Sequence, residues 1–157
     1  MNSMSLLRLA ALVLSVAVAP IQAQSNPLLG KWTVEYTRGV SVENGVSTPV
    51  MGTGTLTIVQ DADSLLGTID GSLRPDGSMA PATKLGGRLT NGSGVLISRS
   101  KAKVNRNGEI SEIDMTLTWT LSAAGDALNG TLLRKVGVDG PLADAPASPV
   151  RGTRVKS

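Results

Sequence analysis

The sequence predicts an all-β protein, an antiparallel up-and-down meander of about eight strands closed into a small barrel. Three observations predict it. From Gly30 onward apolar and polar residues alternate at period two in short β-branched runs, and no stretch sustains a helical period. The 18 glycines, many beside Asn or Asp, mark frequent tight turns between those runs. One hairpin, around Asn107-Gly108, has a register that can be worked out residue by residue.

Before the β-rich part comes a short segment of another kind. One cation, Arg8, precedes an apolar run from Leu9 to Ala19, followed by Pro20 and the small-residue end Ile21-Gln22-Ala23. This is the layout of a cleavable signal peptide, with cleavage expected after Ala23 and a secreted or periplasmic destination. The apolar run is far shorter than the roughly 20 residues a membrane-spanning helix needs, so no membrane anchor is expected. Residues 24–157 are then long enough for one domain with a real core.

Strands are expected near Lys31–Arg38, Thr53–Gln60, Leu65–Asp70, Lys84–Leu89, Val95–Val104, Glu109–Leu121, Leu128–Val136 and Pro149–Val155. Asn107-Gly108 supplies the positive φ angles of a two-residue type I′ turn. Pairing Arg106 with Glu109 sets Lys103 opposite Glu112, Lys101 opposite Asp114 and Arg99 opposite Thr116, all on one face. Opposite charges meet there, worth roughly 0.2–1 kcal/mol per pair, and the basic run needs no polyanion partner. The other face pairs Ala102 with Ile113, Ser100 with Met115, Ser98 with Leu117 and Leu96 with Trp119. Small stands against large, as on an inner face, and a one-residue slip would turn Trp119 and Leu117 out to water.

An internal echo supports a curved sheet. Leu65-Leu66-Gly67-Thr68 and Leu128-Asn129-Gly130-Thr131 each open the second strand of a hairpin. The simplest register sets Gly67 opposite Ile58 and Gly130 opposite Trp119, each glycine leaving room for a large inward neighbour. Two segments break the rhythm. Asn44-Gly45 could extend the first hairpin, but Pro49 disfavours a complete ladder, so Val40–Pro49 is expected to be a flap or lid. Gly137 to Ser148, with Pro141 and Pro146, is expected to be a loop.

Composition excludes much chemistry. The chain has no His and no Cys, which removes the commonest general base, the thiol nucleophile, disulfides, most zinc sites and ordinary haem ligation. Asp61, Asp63, Asp76 and Asp126 fall in predicted turns, where an Asp side chain satisfies backbone directly, so they are assigned to turns and not to catalysis or calcium. Asn91-Gly92-Ser93 and Asn129-Gly130-Thr131 match the glycosylation triplet, but turns or glycine bends already account for them. Setting Arg8 aside from 15 basic residues against 12 acidic leaves +2, and Trp32, Tyr36 and Trp119 are all the aromatics. A nucleic-acid site needs a concentrated basic face with stacking aromatics, so nucleic acid is not an expected partner.

Gly30-Lys31-Trp32 at the start of eight consecutive strands resembles the calycin group of lipocalins, avidins and fatty-acid-binding proteins, whose first strand carries a Gly-x-Trp. The resemblance implies a closed barrel in which that Trp plugs one end and a basic residue of the last strand packs over it. Arg154 is the matching candidate, with Arg134 second, and cation–π attraction would hold the pair. No second lipocalin motif lies between the middle strands, and the tryptophans of an avidin-type biotin pocket are missing, so the resemblance implies no ligand specificity.

The interior suggests the function. An eight-stranded barrel is just wide enough to be filled by side chains or to hold one small ligand. Ser98, Ser100, Ala102, Gly67 and Gly130 are small inward positions, so a cavity is expected with Trp32, Tyr36, Met115, Leu117 and Trp119 as walls and Ser98 and Ser100 as orienting hydroxyls. The alternative is that the large residues fill the space and the serines bond locally. The expected function is non-enzymatic binding of a small, largely apolar molecule through the open end, with no cofactor. A protein-binding or inhibitor module acting through its loops is the alternative, and an enzyme comes third.

Overall fold

In the computed structural model the described residues are 26–43, 46–71, 77–106, 109–137 and 146–156. The segment expected to be a signal peptide, Asn44-Gly45, the turn expected at Asn107-Gly108, and most of the segment expected to loop between Gly137 and Ser148 lie outside them. Eight strands follow in order: β1 (Gly30–Glu43), β2 (Val46–Asp61), β3 (Ser64–Ile69), β4 (Thr83–Thr90), β5 (Ser93–Arg106), β6 (Glu109–Ala124), β7 (Ala127–Val136) and β8 (Ser148–Arg154). Each pairs antiparallel with the next, and β8 returns to β1, so the sheet closes into an up-and-down barrel. Closure removes the two edges that an open sheet of this length would expose.

The β5–β6 ladder runs from Gly94 opposite Leu121 to Arg106 opposite Glu109, with Leu96 against Trp119, Ser98 against Leu117 and Lys101 against Asp114. This is the register expected from Asn-Gly and the period of two. In the β4–β5 turn Asn91 and Gly92 both take positive φ, 49° and 78°, as a type I′ turn requires. That turn is the structural role of Asn91.

Two expectations are corrected. Val40–Pro49 is not a flap: Val40 pairs with Pro49, Ser41 with Thr48 and Glu43 with Val46, so β1 and β2 continue as one ribbon. One proline in a two-stranded ribbon forfeits only its own donation, and here the rest of the ladder holds. The second correction is one of register. Gly67 does face Ile58, but Gly130 faces Leu121, while Trp119 faces Leu132. Gly125, at φ 59°, and Asp126 make a two-residue turn that pairs Ala124 with Ala127, moving the ladder two residues from the expected position. A shift of two leaves every side chain on its face. Gly130 remains obligatory, because a Cβ there would collide with the Thr120 carbonyl oxygen.

The core is the inward row of each strand: Trp32 and Val34, Leu56 and Ile58, Leu65 and Ile69, Leu85, Leu96, Trp119 and Leu121, Leu128 and Leu132, and Val150, joined by Leu28 from ahead of β1. Burying such side chains stabilises by about 1.5–3 kcal/mol each, and with no disulfide available this packing carries the fold.

The strands differ in reach, and this shapes the barrel's two ends. β1 pairs with β8 only from Trp32 to Glu35, and β2 pairs with β3 only from Leu56 to Asp61. Pro149, at the start of β8, has no N–H with which to prolong the ladder toward β1. The far half of the β1–β2 hairpin therefore stands clear as a two-stranded ribbon. The β5–β6 hairpin does likewise, since β4 pairs with β5 only up to Ile97 and β7 with β6 only from Met115.

Candidate functional site

One end of the barrel is plugged. Asn26–Leu29 forms a turn, with Leu29 N donating to Asn26 O at 3.1 Å, that carries the Leu28 side chain into the interior. Leu28 fits because Gly94 opposite has no side chain: a Cβ there would stand 2.7 Å from Leu28 Cδ1. The Trp32 indole N–H donates to Leu28 O at 2.9 Å. Arg154 lies over the Trp32 ring, its guanidinium carbon 4.1 Å from the ring centroid. The same guanidinium donates to Leu29 O at 2.8 Å and Pro27 O at 2.7 Å, and its Nε lies 3.6 Å from Asp126 Oδ1. Trp32 and Arg154 thus form the stacked pair that the calycin resemblance implies, and Arg134 is elsewhere.

The other end is open. Between the two ribbons lies a cavity of about 460 Å³ lined by Tyr36, Arg38, Gly39, Ile69, Thr83, Met115, Leu117, Trp119, Leu132 and Arg134. Its floor is apolar, made by Trp119, Leu117, Leu132 and Ile69, and its rim carries the polar groups. Tyr36 and Trp119 meet across it with ring centroids 5.1 Å apart at a 57° tilt, within the range of favourable aromatic pairs. Trp119 is 1% exposed, yet its indole N–H has no acceptor among the described residues. A buried donor left so costs about 1–3 kcal/mol.

A β-bulge builds the rim. Thr37 pairs with Met51 and Gly39 with Val50, leaving Arg38 as the extra residue of β1. Arg134 Nη2 donates at 3.2 Å to Thr37 O and at 3.0 Å to Arg38 O, tying β7 to β1 beyond the point where β8 stops bridging them. Burial pushes the Tyr36 phenol up from its ordinary value, against the opposing pull of Arg38 and Arg134, so the phenol stays a protonated donor. Burial pushes the Arg134 guanidinium down, countered by Tyr36.

Of the residues expected to line a pocket, Tyr36, Met115 and Trp119 are brought together at this cavity, with Leu117 beside them. Trp32 is fully buried at the plugged end, away from the cavity. Ser98 is 5% exposed on the inner face opposite Leu117, and Ser100 is exposed on the free part of the β5–β6 ribbon opposite Met115. Sequence reasoning missed Arg38, Ile69, Thr83 and Leu132, and assigned Arg134 only as a second choice over Trp32. A signal for Arg134 was present: it continues the inward row Leu128, Gly130, Leu132, and a charge at the end of an inward row belongs at a barrel mouth.

The fold and site define a class: a closed eight-stranded up-and-down β-barrel, plugged at one end and open to a small, mainly apolar cavity at the other. No protein-family model matches the chain, and no curated protein or solved structure matches it either. Among the described residues no group of His, Cys, Asp or Glu is placed to hold a metal ion.

Proposed function

We propose that this is a non-enzymatic, calycin-like binding protein of lipocalin or avidin type, secreted or periplasmic, that takes a small, largely apolar molecule through the open end of its barrel. The observation that carries the reading is the open cavity of about 460 Å³ with Trp119 in its wall. That volume falls in the range of small-molecule pockets, and apolar walls with a few convergent polar groups are their usual composition. Tyr36, Met115, Leu117 and Trp119 supply contact area. Ser98 and Ser100 lie on the same face of β5 as Leu96, outside the residues that line the cavity.

The test is native mass spectrometry of the protein purified from its own host, with extraction of any bound molecule, followed by titration with apolar probes while tryptophan emission is read. A stoichiometric small molecule, or saturable probe binding that perturbs Trp119, supports the reading. An empty protein that binds none of the probes overturns it.

A second reading has its own observation. The two free ribbons at the mouth expose large apolar side chains, Val46 at 65% and Ile110 at 67%, with Met51 nearby on β2. In that reading the ribbons, acting as loops of an inhibitor or interaction module, would bind another protein while the cavity stayed empty, which requires these apolar groups to form one contiguous patch.

A further inference from the structure

The rim of the cavity has a charge pattern that binding of an apolar molecule does not use. Arg38 and Arg134 both line it, and no acidic residue is among the described residues that do. The ion pairs among the described residues engage Arg154 and Lys156 with Asp126, at the plugged end. Arg134 is half-buried, and the bonds it makes use Nη2, toward backbone carbonyls of β1. Those carbonyls are neutral: they orient the guanidinium without neutralising it. A guanidinium has five N–H donors in a fixed fork, which suits oxyanions. Tyr36 lies within electrostatic reach of both arginines and presents a phenolic donor. Two cations and a hydroxyl therefore converge at the mouth above an apolar floor, with no counter-ion from the lining.

We propose that the cavity takes an amphipathic organic anion, its apolar body against Trp119, Leu117, Leu132 and Ile69 and its anionic oxygens at the mouth among Arg134, Arg38 and the Tyr36 hydroxyl. This rests on the small-molecule reading and narrows it to a chemical class: a carboxylate, sulfonate or phosphate monoester on an apolar body small enough for about 460 Å³. The order of the groups matters. The anion stays at the rim, where water completes its solvation, and the deeper wall is desolvated by the apolar body, so no charge is taken out of water unpaired. A neutral analogue of the same shape gains the floor contacts alone, and a cationic one meets two like charges.

Two probes of one scaffold separate the readings: the anionic 1-anilinonaphthalene-8-sulfonate and the uncharged N-phenyl-1-naphthylamine. They are titrated into the purified protein at neutral pH and low salt. The sulfonate is expected to bind about tenfold more tightly, as one charge-assisted contact provides. That ratio should fall below about threefold in Arg134→Met, in Arg38→Gln and on raising the salt to about 0.5 M, where charges are screened within a few ångströms. Arg134→Met also releases two backbone carbonyls. Arg38→Gln, at an exposed side chain, keeps the test valid if the first variant is unstable, and the β-sheet circular dichroism of each is checked. Equal affinity for the two probes in the parent protein, or a preference that survives both substitutions, overturns the anion proposal while leaving the apolar cavity standing. Failure of both probes to bind overturns the cavity reading and this one with it.

Discussion

The two ends of this barrel use similar residues to opposite effect. At each end a tryptophan and an arginine come from the inward rows of the strands. At the plugged end the Trp32 N–H has an acceptor in Leu28 O, and Arg154 covers its ring while bonding two carbonyls of the Pro27–Leu29 turn. At the open end the Trp119 N–H has no acceptor among the described residues, its ring meets Tyr36, and Arg134 bonds carbonyls freed by a bulge. The first arrangement satisfies its own polar groups and so adds to stability. The second leaves a buried donor without an acceptor among the described residues, a state that lowers stability. The difference teaches that residue type does not assign a role here: what matters is whether a neighbouring segment, such as Asn26–Leu29, closes over the group.

The largest expected effect comes from making one substitution at both ends. Trp32→Phe deletes a satisfied buried N–H, leaves Leu28 O unpaired and weakens the stack with Arg154, so it should cost about 2–3 kcal/mol in a denaturant titration. Trp119→Phe removes a donor that has no acceptor among the described residues, together with some packing, and the two changes offset to about 1 kcal/mol or less. Equal losses at the two positions would erase the distinction between the ends.

Next come the arginines. Arg154→Met should lower stability by about 1–2 kcal/mol, through two charge-assisted bonds and the stacking contact, whereas its partly exposed ion pair with Asp126 adds little. Arg134→Met should cost about half of that, since one nitrogen serves both of its carbonyls. Thermal melting of the two variants side by side measures the gap.

A subtler effect should be seen at Gly94. Adding a methyl by Gly94→Ala presses on Leu28 and should cost about 1 kcal/mol or somewhat more, read as an earlier denaturant midpoint with unchanged slope. Faster hydrogen exchange at Leu28 and Leu29 would show that the plug itself has loosened.

The smallest effect concerns pH. With its folded-state pKa raised by burial, Tyr36 holds its proton longer in the folded than in the unfolded chain. The folded chain then carries more bound protons than the unfolded one above the ordinary tyrosine value of about 10. Stability from this group is complete below that pH and is lost as pH rises from there through the folded-state pKa. Tyr36→Phe should therefore flatten the alkaline limb of the stability curve and leave the neutral region unchanged, as a melting series in pH would show.

Much of the architecture was legible because its signals are local. All eight strands follow from period two and turn residues, and the β5–β6 register from Asn107-Gly108 with the charges beside it. The β6–β7 register was not legible to within two residues. Ala123-Ala124-Gly125-Asp126-Ala127 holds only small residues and a turn former, and a slip of two leaves every face unchanged, so the pattern could not choose. The cavity was half legible. Tyr36, Met115 and Trp119 follow from alternation along their strands, but Arg38 and Arg134 are 96 positions apart and meet only because the barrel closes.

By itself, then, the sequence determined an all-β antiparallel meander, the alternation that decides which side chains face inward, and the absence of histidine and cysteine chemistry. These depend on contacts between near neighbours in the chain and on composition. Only the tertiary structure decided which end is plugged, that Val40–Pro49 joins a ladder, and that two arginines and a tyrosine share a mouth over Trp119. Those outcomes depend on how far each strand reaches before its neighbour stops pairing, a property of the closed sheet as a whole that no single segment carries.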